Sequence, residues 1–250
     1  MISVKSKREI ELMAESGRIL SLIHRTLKEH IRVGITTREL DQIAEDIIRR
    51  EGVKPAFKGY NGFPACLCTS VNEVVVHGIP NDKKLKDGDI VSIDAGVIFE
   101  GYYSDAARTH LVGNVKPEIV NLVETARLAF EEGLKECYVG NRLSNIGNSV
   151  QKFVEARGFG VVRDLVGHGV GTSLHEDPQV PNYGDRDKGP RLKEGMVIAV
   201  EPMITLGTYE VETLDDGWTV VTLDRLAAAH HEQTIAITKD GPVILTNSEE

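Results

Sequence analysis

The sequence predicts an α+β fold, with a mainly antiparallel sheet and helices on one side, built as two similar αβ halves. Three observations carry this: two pairs of amphipathic helical segments, a match between the pairs at a separation of 106 residues, and short strand-like runs after each pair.

In the first half, Ile10, Met13, Leu20, Ile23, Leu27 and Ile31 recur at helical spacing, so Lys7 to Ile31 reads as a helix that Val33-Gly34 stops. Thr36 or Thr37 caps a second helix with Leu40, Ile43, Ala44, Ile47 and Ile48 inward and Gly52 at its end. Strands are expected at about Cys66 to Val76, Asp89 to Val97 and Tyr102 to Val112. In the second half, Pro117 to Tyr138 reads as a helix. Val139-Gly140 then matches Val33-Gly34, and Ile146, Phe153, Val154 and Gly158 match Leu40, Ile47, Ile48 and Gly52. Strands follow at about Val161 to Val166, Met196 to Met203, Thr219 to Leu223, Ala229 to Thr238 and Val243 to Thr246. The period is too long for a solenoid, so two halves about a pseudo-two-fold axis are expected. No Pro-, Gly- or Ser-rich linker separates them. A single domain over 1–250 is expected, with halves of about 1–113 and 114–250.

A composition of 41% apolar and 27% charged residues excludes a disordered or collagen-like chain. With 29 Lys and Arg against 38 Asp and Glu, the net charge of −9 disfavours a broad nucleic-acid or anionic-membrane surface. Cys66 and Cys68 are too close for an ordinary disulfide, and with Cys137 they suit a reducing compartment. No apolar signal core or bilayer-length apolar run appears, so a cytoplasmic location is expected.

Chemistry is suggested by acids placed in strands. Asp94 and Asp105 flank the turn Phe99-Glu100-Gly101; with Glu100-Gly101 as the turn, Asp94 lies opposite Ala107 and Asp105 becomes its diagonal neighbour on the same face. Two ionised carboxylates so close repel unless a proton or a cation lies between them. In Val166-Gly167-His168-Gly169-Val170-Gly171 a histidine sits among glycines that admit a close neighbour, while the spacing does not fit a phosphate-binding loop. Glu201 ends the apolar run Val197 to Val200 before Pro202, one residue from the repeat image of Asp94, and Glu232 begins another strand. Taken singly, one of Asp94 and Asp105 reads as a solvated turn residue and the other as a strand-edge charge, His168 as a structural histidine and Glu232 as a solvent-facing strand residue. Together, four carboxylates and one imidazole without a thiolate form an oxygen-rich set suited to two divalent first-row ions, and hydrolysis is the natural chemistry of such a pair.

Several segments, in order over nearly the whole chain, closely resemble the methionine aminopeptidases of type I. They are Asn72-Glu73-Val74-Val75-Val76-His77-Gly78-Ile79-Pro80, the Asp94 and Asp105 hairpin, Gly167 to Gly171, His175-Glu176-Asp177-Pro178, Glu201-Pro202-Met203 and Glu232-Gln233-Thr234. The resemblance implies the pita-bread fold and removal of N-terminal methionine before a small second residue, by water activated at a dinuclear centre. It implies Asp105 and Glu232 as bridging ligands, Asp94 on one ion, and His168 and Glu201 on the other. Co, Mn, Fe, Zn and Ni are all compatible. It further implies Glu201 as proton shuttle, His175 as donor to the carbonyl oxygen, His77 near the scissile amide, and Tyr60, Phe63, Cys68, Leu174 and Trp218 as the methionine pocket. The implied partners are N-terminal methionyl peptides and nascent chains, with ribosome association, no membrane or direct nucleic-acid contact, and a monomeric state. His231 and Gln233 depart from the family pattern beside Glu232, and neither His230 nor His231 is expected to join the metal set. A prolidase or proline-specific aminopeptidase, or a non-catalytic binding homologue, are the alternatives.

Overall fold

Ser6 and Glu9 form a reciprocal capping box, as do Thr36 and Glu39, and these fix the starts of α1 (Lys7–His30) and α2 (Thr37–Arg50). The computed structural model describes residues 2–247, so Met1 and 248–250, at the ends of the expected 1–250 unit, lie outside the described residues. After the two helices come β1 (Lys54–Pro55), β2 (Leu67–Val71), β3 (Val74–Val76), β4 (Ile90–Phe99) and β5 (Tyr102–Leu111). The second half begins with α3 (Pro117–Leu134) and α4 (Ser144–Glu155), followed by β6 (Gly160–Val161), β7 (Gly167–Gly169), β8 (Glu176–Val180), β9 (Val197–Val200) and β10 (Met203–Thr205). It ends with β11 (Val211–Thr213), β12 (Val220–Thr222), β13 (Ala228–His230), β14 (Glu232–Thr238) and β15 (Gly241–Ile244). No helix among the described residues is long and apolar enough to cross a membrane.

The main sheet runs β1-β4-β5-β14-β9-β7-β8, with β2 added beside β4 and β15 beside β14. The halves therefore join where β5 pairs antiparallel with β14, Glu232 opposite Ala107 and Gln233 opposite Ala106. Along β4 the side chains alternate: Val91, Ile93, Ala95 and Val97 pack on Leu20, Ile23 and Leu27 of α1 and Leu40 and Ile47 of α2, while Asp94 faces the other way. In the second half Ile198, Val200, Ile235 and Ile237 pack on Phe130 and Ile146 of α3 and α4. Both helix pairs thus cover one face of the sheet.

Several expected elements differ in extent. The strand expected from Val161 to Val166 is only Gly160–Val161, and the one expected from Val243 to Thr246 lies at Gly241–Ile244. The strand expected from Cys66 to Val76 is two strands, because the chain turns at Asn72, whose φ is 54°. The run Met196 to Met203 is broken at Glu201-Pro202, since Pro202 has no N–H to give a ladder. The run Ala229 to Thr238 is broken at His231, whose N–H instead donates to the Pro202 carbonyl at 3.1 Å. The third helix stops at Leu134 rather than Tyr138. The breaks at 201–202 and 231 are neighbours. They mark a seam where the main sheet gives way to a three-stranded sheet ordered β13-β10-β6.

Candidate metal centre and peptide pocket

The β4–β5 hairpin sets the first pair of acids. Glu100 and Gly101 have φ of 47° and 86°, the left-handed pair that a tight two-residue hairpin requires. The resulting register places Asp94 opposite Ala107 and Gly96 opposite Asp105, so the two acids are diagonal neighbours on the face away from the helices. Thr234 locks Asp105 to β14: its Oγ1 accepts from the Asp105 N–H at 3.0 Å and donates to the Asp105 carbonyl at 2.8 Å. Because Glu232 pairs with Ala107, it faces the same side.

His168 reaches this side through the close packing its glycines permit. A Cβ at Gly167 would lie 2.4 Å from the Ala199 carbonyl oxygen, and one at Gly169 would lie 2.3 Å from that of Asp177. The His168 Nδ1–H donates to the Gly169 carbonyl at 2.9 Å, which leaves the Nε2 lone pair directed at the acids. Nε2 lies 3.4 Å from Glu201 Oε1 and 3.7 Å from Asp105 Oδ2. Glu201 itself sits at the strand break, its carbonyl held by Asn182 Nδ2 at 3.0 Å.

Burial first, then the charges of Asp105 and Glu201, raise the Asp94 carboxyl far above the usual range. Burial raises Glu201 and Glu232 likewise, with Asp105 adding to each and Arg108 partly offsetting at Glu232. Asp105 is pushed up to about 7 by burial. Burial also lowers His168, to about 4, so the imidazole is neutral and free to act as a ligand. Oδ1 of Asp94, Oδ1 of Asp105 and Oε1 of Glu232 are buried with no hydrogen-bond partner among the described residues. Acids that repel one another and leave oxygens unsatisfied fit cations, and a ligand atom from each of Asp105, His168 and Glu232 comes within 4.8 Å of the others.

Beside the acids is a cavity of about 280 Å³ that they share with Tyr60, Phe63, Cys68, His77, Leu174, His175 and Trp218. The structure thus brings together every expected site residue, and adds Phe57, Val76, Leu165 and Met203 to the walls. Phe63 meets Trp218 edge to face at 5.1 Å, and Asp216 holds the Trp218 backbone by accepting its N–H at 2.9 Å. Tyr60 Oη and His175 Nδ1 are 2.8 Å apart, and the His175 ring lies 4.2 Å from that of His168. The loop before His175 is fastened by Glu176, whose Oε1 accepts from the N–H groups of Thr172 and Ser173. His77 adopts a left-handed φ of 59° and lies 6.4 Å from the Trp218 ring. Burial lowers both His77 and His175 below the ordinary histidine range.

The two histidines before Glu232 part company. His231 turns away from the acids and packs on Phe130 at 5.3 Å, and Gln233 Oε1 accepts from Thr246 Oγ1 at 2.7 Å on the same reverse face. His230, which the sequence reading leaves outside the metal set, instead faces the cavity, its Nε2 3.6 Å from Glu201 Oε2. Strand alternation over 230 and 232 is the signal that finds it.

The profile of metallopeptidase family M24 matches residues 11–239. Among curated relatives, a methionine aminopeptidase of Clostridium perfringens is 54% identical over 246 residues, covering 98% of this chain and 99% of that protein. A methionine aminopeptidase 1 of Bacillus subtilis is also 54% identical, with the same coverage. Among solved structures, a methionine aminopeptidase from Thermotoga maritima superposes with a TM-score of 0.97 at 44% identity, covering 99% of this chain and 100% of that one.

Proposed function

This chain belongs to metallopeptidase family M24, among the methionine aminopeptidases with their pita-bread fold, and from that premise we propose that it removes N-terminal methionine from peptides and nascent chains. The observation that carries the reading is the shared cavity: unsatisfied carboxylate oxygens at one side, and an apolar, sulfur-tolerant wall of Tyr60, Phe63, Cys68, Leu174 and Trp218 at the other. Asp94, Asp105, His168, Glu201 and Glu232 would hold two divalent ions. Such ions, when bound, lower the pKa of water and polarise a carbonyl.

The chain's own groups do the rest. The apolar wall receives the methionine side chain and excludes water from it. Glu201, half of whose carboxylate faces His168, takes the proton of the attacking water and returns it to the leaving amine. Tyr60 donating to His175 Nδ1 leaves the proton on Nε2, the tautomer that can donate to the carbonyl oxygen as charge develops there. His77, neutral for the same reason as His175, orients the scissile amide. The limited cavity supports a preference for small second residues. We assign the enzyme to the cytoplasm, as a single-domain monomer that meets its substrates near the ribosome.

The test is a panel of Met-X-Ser peptides, with X graded in size, under anaerobic loading with Mn, Fe or Co in turn. Release of methionine that declines as X grows is expected. A protein that stays metal-free and inert under every loading defeats the proposal.

A further inference from the structure

His230 is almost wholly buried, at 1% exposure, yet its Nε2 has no hydrogen-bond partner among the described residues. Burial of a polar nitrogen without a partner is costly, and native structures rarely leave one without a use. The nitrogen is not stranded in apolar packing. It lies 3.6 Å from Glu201 Oε2, the oxygen other than the one facing His168. Ligand atoms of Glu201, His230 and Glu232 all fall within 4.8 Å of one another, as do those of Asp105, His168 and Glu232. The cavity thus holds two groups of donors, each with one imidazole, which share Glu232.

The backbone is built to hold His230 there. Thr109 Oγ1 accepts from the His230 N–H at 2.9 Å and donates to the His230 carbonyl at 2.9 Å, while Ser92 Oγ lies 2.8 Å from the same hydroxyl. Met203 pairs with His230 across β10 and β13, so the residue is fixed from both sides. Its side-chain direction follows from register rather than from a mobile loop.

We infer that His230 is a sixth metal donor of this centre, an imidazole that binds a divalent first-row ion together with Glu201 and Glu232. This rests on the metallopeptidase reading above and sharpens it: one imidazole among four carboxylates would favour hard ions, whereas a second imidazole moves preference toward softer members of the series such as Co and Zn.

The experiment loads the full-length protein anaerobically with two equivalents of Co(II) and compares it with His230→Ala and His230→Gln. X-ray absorption at the cobalt edge counts imidazoles, and competition against a fluorescent chelator gives the affinity of each equivalent. Both variants are expected to show one imidazole fewer than the parent and to hold one equivalent about 10- to 100-fold more weakly, the range seen when groups supporting a metal are removed. The metal-free melting profile of His230→Gln reports that the fold is kept. Equal imidazole counts and equal affinities in the parent and a folded His230→Gln overturn the inference. If that parent still takes up metal and cleaves methionyl peptides, the metallopeptidase reading survives alone; a parent that takes up no metal overturns both.

Discussion

Strands β5 and β14 present two faces of opposite chemistry, and the same pair of backbones carries both. On one face Asp105 and Glu232 leave carboxylate oxygens with no partner among the described residues. On the other, Arg108 donates to the carbonyls of Ala107, Glu232 and Thr246 and closes its own hydrogen bonds. Around it His24, His110, His231 and Gln233 line a cleft of about 1090 Å³ against α1 and α3. The acids are pushed up because burial disfavours their charge; the histidines are pushed down for the same reason, with Arg108 adding to each. One desolvation thus leaves acids in front whose charge calls for a proton or a cation, and neutral bases behind. Arg108 ties the strands together on the reverse face, and the face of the acids is available for chemistry.

The largest expected effect is on the face of the acids. Glu201→Gln should keep the fold and lower release of Met from Met-Ala-Ser about 10²- to 10⁴-fold, the usual contribution of a positioned proton-transfer group. Turnover equal to the parent's would remove Glu201 from that role. On the reverse face, Arg108→Ala strips partners from three carbonyls, and urea unfolding should show a loss of about 3 kcal/mol. An unchanged midpoint would mean that the guanidinium is not what joins β5 to β14.

The third test uses pH. His110 is lowered to about 4 by burial, then by Arg108 and Lys28, whereas an unfolded histidine titrates near 6.5. Between those values the unfolded chain binds the proton and the folded one does not, so the folded state loses stability as pH falls from 6.5 towards 4 and holds it fully above 6.5. His110→Gln should flatten the decline of Tm over that window, by at most about 1.4 kcal/mol per pH unit; an equally steep decline would show that His110 does not contribute. The smallest effect is expected from His231→Phe, which keeps the contact with Phe130 and should cost under about 1.5 kcal/mol. Altered cobalt content in that variant would break the division between the faces.

Much of this was open to sequence reasoning where a period was long enough to speak. The apolar stripe of α1, the capping residue Thr36 and the Glu100-Gly101 turn that makes Asp94 and Asp105 diagonal neighbours are local, and local physics decides them. What escaped was short or broken. The three-residue strand around His168, the strand Glu176–Val180 and the strand Val211–Thr213 offer too few residues for alternation to register. His230 is a different case. The alternation that joins Asp105 to Asp94 also joins His230 to Glu232, but the five donors read from the sequence already suffice for the proposed pair of ions, so nothing in the sequence demands a sixth.

Glu201 and His230 both stand at the seam where β9 yields to β10 and β13 yields to β14. Within an unbroken ladder, every side chain is bound to its face by the neighbours on either side. At the seam that bookkeeping lapses for a residue or two, and a substitution there alters what the cavity sees while the registers of both sheets stand. The centre is therefore editable: a single replacement at Glu201 or His230 can change its donor set, and the scaffold need not follow.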